Sequence, residues 1–168
     1  MRWPSSRRSP VAEAARVLVQ TGDFDLSAET ARLTAGRSDI GGVGSFVGTV
    51  RGIAGGRVIT AMTLEHYPDM TERAMSRIAD AAVRRWSLLG CTLIHRVGPL
   101  RPGENIVLVL AAAAHRQASL EATAFLIDWL KTAAPFWKKE TFADGSEAWV
   151  DAREEDATAA AKWGALAG

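Results

Sequence analysis

Lys131 and Lys138 stand seven positions apart in the stretch KTAAPFWKKE, with Pro135, Phe136 and Trp137 between them. Ammonium groups can anchor a phosphate, donate a proton or attack as amines. Proline ends a helix and two aromatics can pin the segment that follows, so Lys138 is expected to be held in place. A plainer reading also stands: a helix C-terminus favours a cation such as Lys131, and Lys138, Lys139 and Glu140 can form an ordinary solvated cluster. His115 and Arg116 sit where an apolar strand stops and a helix is about to begin. The free N–H groups and positive dipole end there suit an anion, although a solvated strand end has the same sequence. Arg51 ends FVGTVR beside the loose GIAGG loop. Its guanidinium can fork onto a phosphate or carboxylate, or it is a plain surface arginine. These residues together point to a cationic site for a small anion, with catalysis left open.

Other chemistries find less support. Gly41, Gly42, Gly44 and Gly48 suggest a dinucleotide loop, but the third glycine of that pattern would fall at Val47, and a β-branched strand follows where a helix is required. Tight packing around a strand explains these glycines better. His66, His95 and His115 lack metal-ligand spacing, so no metal is expected, and ordinary structural roles suit His66 and His95. Cys91 is the one cysteine in 168 residues, which excludes an internal disulfide and points to a reducing compartment, the cytoplasm. A net charge of +1 argues against non-specific nucleic-acid binding. No apolar run reaches the roughly 20 residues that span a bilayer. Residues 1–14, rich in Pro, Ser and Arg, read as a disordered leader, and 15–168 as one domain.

The elements that must position these residues can be sketched from their patterns. A strand is expected at 16–20, then a short helix with Ser27 as its N-cap and Gly36 just past its end. Strands follow at 40–52 and over VITAMTLEHY. A helix starts at Pro68-Asp69, with Asp69 and Glu72 as a capping-box pair, and runs to Gly90. CTLIHRVG and NIVLVLAAAA are strands joined by a Pro/Gly turn. A long helix is expected over 119–134, with Leu120, Ala124, Ile127 and Leu130 along one side, broken by Pro135. A short strand in DGSEAWVDA and a final helix complete the chain. Strands and helices mix without regular βαβ alternation, which favours α+β over a doubly wound sheet.

Six segments in order resemble the large, catalytic subunit family of molybdopterin synthase. They are FVGTVR (46–51), MTLEHYPDMTE (62–72), RWSLLGCTLIHRVGPLRPGE (85–104), AAAHR (112–116), DWLKTAAPFWKKE (128–140) and WVDAR (149–153). The resemblance implies an α/β-hammerhead-type α+β domain with a mixed, mainly antiparallel sheet. It also implies a homodimer core that binds a small β-grasp sulfur-carrier subunit ending in a Gly-Gly thiocarboxylate, giving a heterotetramer. Sulfur would pass from that tail to cyclic pyranopterin monophosphate, forming the molybdopterin dithiolene without a metal or cofactor in this subunit.

Position by position, Lys131 and Lys138 match the family's catalytic lysines. Arg51, His115 and Arg116 match its substrate pocket, Thr49, Val50, Lys139 and Glu140 its lining, and Arg153 a supporting position, with residues contributed by both protomers. Two anions, a phosphate and a thiocarboxylate, must meet, and cations would bring them together and stabilise developing charge. Ala133 and the bland GIAGG loop depart from the more polar residues of many relatives, at positions outside the carried-over catalytic set. A non-catalytic homologue that binds the carrier or a pterin is the alternative; retention of Arg51, His115, Arg116, Lys131 and Lys138 favours the enzyme.

Overall fold

The computed structural model describes residues 15–151 and 154–165, so the expected leader and Arg153 lie outside the described residues. The chain runs β1 (Ala15–Gln20), α1 (Leu26–Thr34), β2 (Gly42–Thr49), β3 (Ile53–Ala54), β4 (Arg57–His66), α2 (Met70–Trp86), β5 (Gly90–Arg96), β6 (Gly98–Leu100), β7 (Asn105–Ala113), α3 (Arg116–Ala133), β8 (Phe136–Phe142), β9 (Glu147–Val150) and α4 (Glu154–Ala161). Two sheets result. The first has the order β1-β5-β7-β2, with β1 parallel to β5 and the other pairs antiparallel. The second has the order β3-β4-β8-β9, and β6 joins it on β4. The fold is the expected α+β class.

The first sheet carries the core. β5 is buried throughout and β7 nearly so, because each is covered on both faces, and their continuous apolar runs follow from that. Cys91, Leu93, Val107, Val109 and Ala111 face α2 and α3. Ile94, Leu108 and Leu110 face the opposite side, where Leu33 of α1, Phe24 and Val43 cover them.

The glycines of β2 determine how α3 docks. A Cβ on Gly44 would strike Thr123 Oγ1 and come within 2.5 Å of the Ser119 carbonyl oxygen; one on Gly42 would lie 3.3 Å from Ser119 Oγ. The helix therefore lies directly on the strand backbone. It presents small residues there, burying Ser119, Ala122 and Thr123 ahead of Phe125, Leu126 and Leu130. This shifts the buried stripe from the expected one: Leu120 is exposed, since a leucine would not fit over a glycine strand. Close strand packing, rather than nucleotide binding, accounts for the glycines.

Several boundaries differ from expectation. Asp25 caps α1 in place of Ser27, its carboxylate accepting from the Ala28 N–H at 3.0 Å. Asp69 precedes α2 at φ 64 and makes no side-chain cap bond, because that left-handed backbone turns its carboxylate away. Glu72 Oε2 is buried and unbonded, so the expected capping box does not form. α2 stops at Trp86 with Ser87 left-handed, and Gly90 opens β5. α3 begins at Arg116, three residues early. GIAGG is a tight hairpin, in which Gly55 and Gly56 supply the two positive φ angles between β3 and β4. The largest departure is β8, a full strand through FWKKETF where no strand was expected.

Candidate active site

α3 ends where Pro135 removes a backbone donor and Ala134 turns extended. Two residues later β8 begins, and the chain folds back along β4. The aromatics between the lysines fix this reversal from both sides. Phe136 stacks on His95 of β5, ring centroids 3.7 Å apart and 15° from parallel. Trp137 meets Tyr67 edge-on at 4.6 Å. Thr71 Oγ1 donates to the Pro135 carbonyl at 3.2 Å, tying the turn to α2.

Strand alternation then sorts the charged residues of KKE. Phe136, Lys138 and Glu140 pair across the ladder with His66, Leu64 and Met62. Met62 and Leu64 face the interior, so Lys138 and Glu140 do too, and Glu140 is buried. Lys139 points to the opposite face, where it pairs with Glu147 at 3.0 Å and lies over the Trp149 ring. The ladder brackets Lys138 between Leu64 and Val150, which restrains its backbone on both sides.

A cavity of about 550 Å³ opens at the seam between the two sheets, beneath the C-terminal end of α3. This volume is in the range of small-molecule sites. Arg51, Lys131 and Lys138 line it together, along with Thr49, His95, Asp151 and Asp156. Phe46, Met62, Leu64, Ile106, Val107 and Phe136 form much of its apolar wall. Lys131 is half exposed in the last turn of α3, where the helix dipole favours a cation, and pairs with Asp156 of α4 at 3.5 Å. α4 is held there by Trp163 just past its end: the indole Nε1 donates to Asp128 Oδ2 at 2.8 Å, and the ring packs edge-on against Trp86 and Phe125.

The remaining expected residues fall elsewhere. Val50 is buried, and its backbone groups bond Glu104 and Gly103. Glu140 lies on the inner face of β8 beyond the cavity lining. His115 and Arg116 are exposed at the N-terminal end of α3, sixteen and fifteen positions before Lys131, which is about 22 to 24 Å along a helix axis. A single copy of the chain therefore does not bring them to the lysines.

His95, assigned a structural role from sequence, is a cavity residue. Its signal was parity: it continues the Cys91, Leu93 alternation, so it faces the same side as the core and meets the cavity where the sheet ends. Burial pushes the imidazole down to about 4, and nearby His66 adds to that. Cys91 is fully buried with its thiol pushed up to about 12 by burial, which makes it inert as a sulfur nucleophile at neutral pH. Among the described residues no group of three or more His, Cys, Asp or Glu is placed to hold a metal ion. No helix among them is long and apolar enough to cross a membrane.

The family model described as "MoaE protein" matches residues 19–133. A curated relative from Mesorhizobium japonicum, "Molybdopterin synthase catalytic subunit", is 56% identical over 151 residues, covering 89% of this chain and 94% of its own. The solved structure titled "Molybdopterin biosynthesis MoaE protein from Burkholderia ambifaria MC40-6" superposes with a TM-score of 0.77 at 50% identity, covering 90% of this chain and 99% of its own. A Helicobacter pylori chain, titled as a complex of subunits 1 and 2 of molybdopterin-converting factor, shares the fold at a TM-score of 0.63 and 18% identity, covering 83% of this chain and 90% of its own.

Proposed function

The chain belongs to the MoaE family of molybdopterin synthase catalytic subunits, and from that premise we propose that Arg51, Lys131 and Lys138 form the centre where sulfur is transferred. The reaction moves sulfur from the C-terminal thiocarboxylate of a small carrier subunit to cyclic pyranopterin monophosphate. The observation that carries the reading is the convergence of three cations, from just past the end of β2, the last turn of α3 and the middle of β8, on one cavity.

The chemistry requires that arrangement. The substrate phosphate and the carrier tail repel each other, and cations in a partly water-excluded cavity offset the repulsion and the charge that develops as sulfur attacks. Lys131 stands at the rim, half exposed, and suits the incoming tail; its present partner Asp156 is an anionic carboxylate, of the same charge as the tail's thiocarboxylate. Lys138, braced in the ladder, suits protonation of the oxygen released when the cyclic phosphate opens. His115 and Arg116 join the site from a second copy of the chain, since their own copy places them at the far end of α3. The relatives' description as one subunit of a synthase supports a second subunit as partner, which in this reading is the carrier. The subunit acts in the cytoplasm and holds no metal or cofactor of its own, so chelators should leave turnover unchanged.

Single-turnover assays with thiocarboxylated carrier and the cyclic substrate test the assignment. Lys131→Ala and Lys138→Ala should each lower product formation by at least 100-fold, roughly 3 kcal/mol of transition-state stabilisation. Near wild-type product from both variants would refute it.

A further inference from the structure

His95 lines the cavity and has no task in this reading. His95 has one ring nitrogen committed: Nδ1 lies 2.8 Å from the Arg96 carbonyl oxygen. A carbonyl only accepts, so Nδ1 carries the proton and Nε2 presents a lone pair. The ring cannot swing, because Phe136 stacks against it and the residue is 9% exposed. Among the described residues the fully enclosed, unpartnered side-chain nitrogens and oxygens are Glu72 Oε2 and Trp129 Nε1. Nε2 of His95 is not one of them, and His95 lines the cavity, so its accessible edge opens there.

The surroundings give that lone pair a use. Val107, opposite His95 in the β5–β7 ladder, and Phe136, stacked on its ring, are apolar; the three cations are donors only, and the other side-chain acceptors lining the cavity are Thr49, Asp151 and Asp156. The substrate has two chemically different ends: a phosphate, which the cations match, and a fused pterin ring carrying N–H and NH₂ donors, which need an acceptor. The carboxylates of Asp151 and Asp156 add negative charge that opposes the phosphate, whereas a neutral imidazole accepts without adding any. Burial, with nearby His66 adding to it, keeps the ring neutral through physiological pH. We propose that His95 is a substrate-binding residue whose Nε2 accepts a hydrogen bond from a ring N–H of the pterin, orienting the substrate with its phosphate toward Arg51 and the lysines. This rests on the sulfur-transfer reading above.

The test compares wild type, His95→Phe and His95→Gln in the assembled synthase. Phenylalanine keeps a flat ring against Phe136 and removes the acceptor; glutamine restores an acceptor at similar reach. Calorimetric titration with cyclic pyranopterin monophosphate should show affinity falling about tenfold in His95→Phe and less in His95→Gln, the loss expected for one hydrogen bond. KM should rise while kcat at saturation changes less than about threefold. In wild type, the long-range proton–nitrogen spectrum of the ring should show the Nδ1–H tautomer, with the Nε2 resonance moving on substrate addition. That measurement needs no variant to fold. A folded His95→Phe that binds like wild type, or an Nε2 resonance unmoved at saturation, would overturn the inference while leaving the sulfur-transfer reading intact. Wild-type synthase that does not bind the substrate would overturn both.

Discussion

Mild acid should destabilise this protein through His95, by an amount that can be worked from its burial. The imidazole goes from an ordinary 6.5 to about 4 in the folded chain. A folded-state value below the unfolded one means the unfolded chain takes up a proton that the folded chain refuses. The stability is therefore fully present above about pH 6.5 and is lost as pH falls toward about 4. Between about pH 7.5 and about pH 4.5 the linkage amounts to roughly 2 to 3 kcal/mol, a large share of a typical domain's stability. Urea titrations of wild type and His95→Phe at both pH values isolate the effect. Exposed carboxylates such as Asp39 and Asp144, held low by hydrogen bonds to Arg37 and Ser146, weaken both proteins alike as pH drops. His66, the other titratable group bearing on His95, is also common to both. Wild type should lose 2 to 3 kcal/mol more than the variant, a difference of about 5 to 10 °C in Tm. Parallel stability curves for the two proteins would refute the argument and show that His95 takes up its proton in the folded state.

Three other predictions follow from the same geometry. Gly44→Ala should destabilise by about 1 to 3 kcal/mol in thermal melts, because its methyl has no room beneath α3, while Gly22→Ala, with nothing within 4 Å, should not. Cys91→Ser should retain sulfur transfer in the reconstituted assay while losing about 1 to 3 kcal/mol of stability in urea, since the hydroxyl enters an apolar core. Asp156→Asn should tighten binding of the carrier's anionic tail a few-fold in titrations at low salt, by removing the carboxylate that occupies Lys131, and the gain should shrink as salt rises.

Much of the framework was legible from pattern. The apolar runs of β5 and β7, the helical spacing of α2 and the α+β mixture are local signals, and each corresponds to an element. The breaks were legible where a residue's own backbone demands them, as at Pro135. Caps were less so. Asp25 and Ser27 are both good capping residues, and which one caps depends on where tertiary packing starts the helix. β8 was missed because FWKKETF has too many charges to look like a strand. Its strand character comes from hydrogen bonds to β4 on one side and β9 on the other.

The same division holds for the site. Residue types in the chain, two lysines around a rigid step and an arginine after a strand, were enough to name a cationic site for a small anion, and the ordered motifs were enough to name the family. Those are properties of side-chain chemistry and local order, which sequence carries directly. Only the folded chain could decide which cations meet. β8 turns Lys138 inward and Lys139 outward because strand side chains alternate, and a helix of 18 residues keeps Arg116 far from Lys131. The role of His95 was likewise hidden, since an acceptor is defined by what its other nitrogen already bonds and by which edge the packing leaves open.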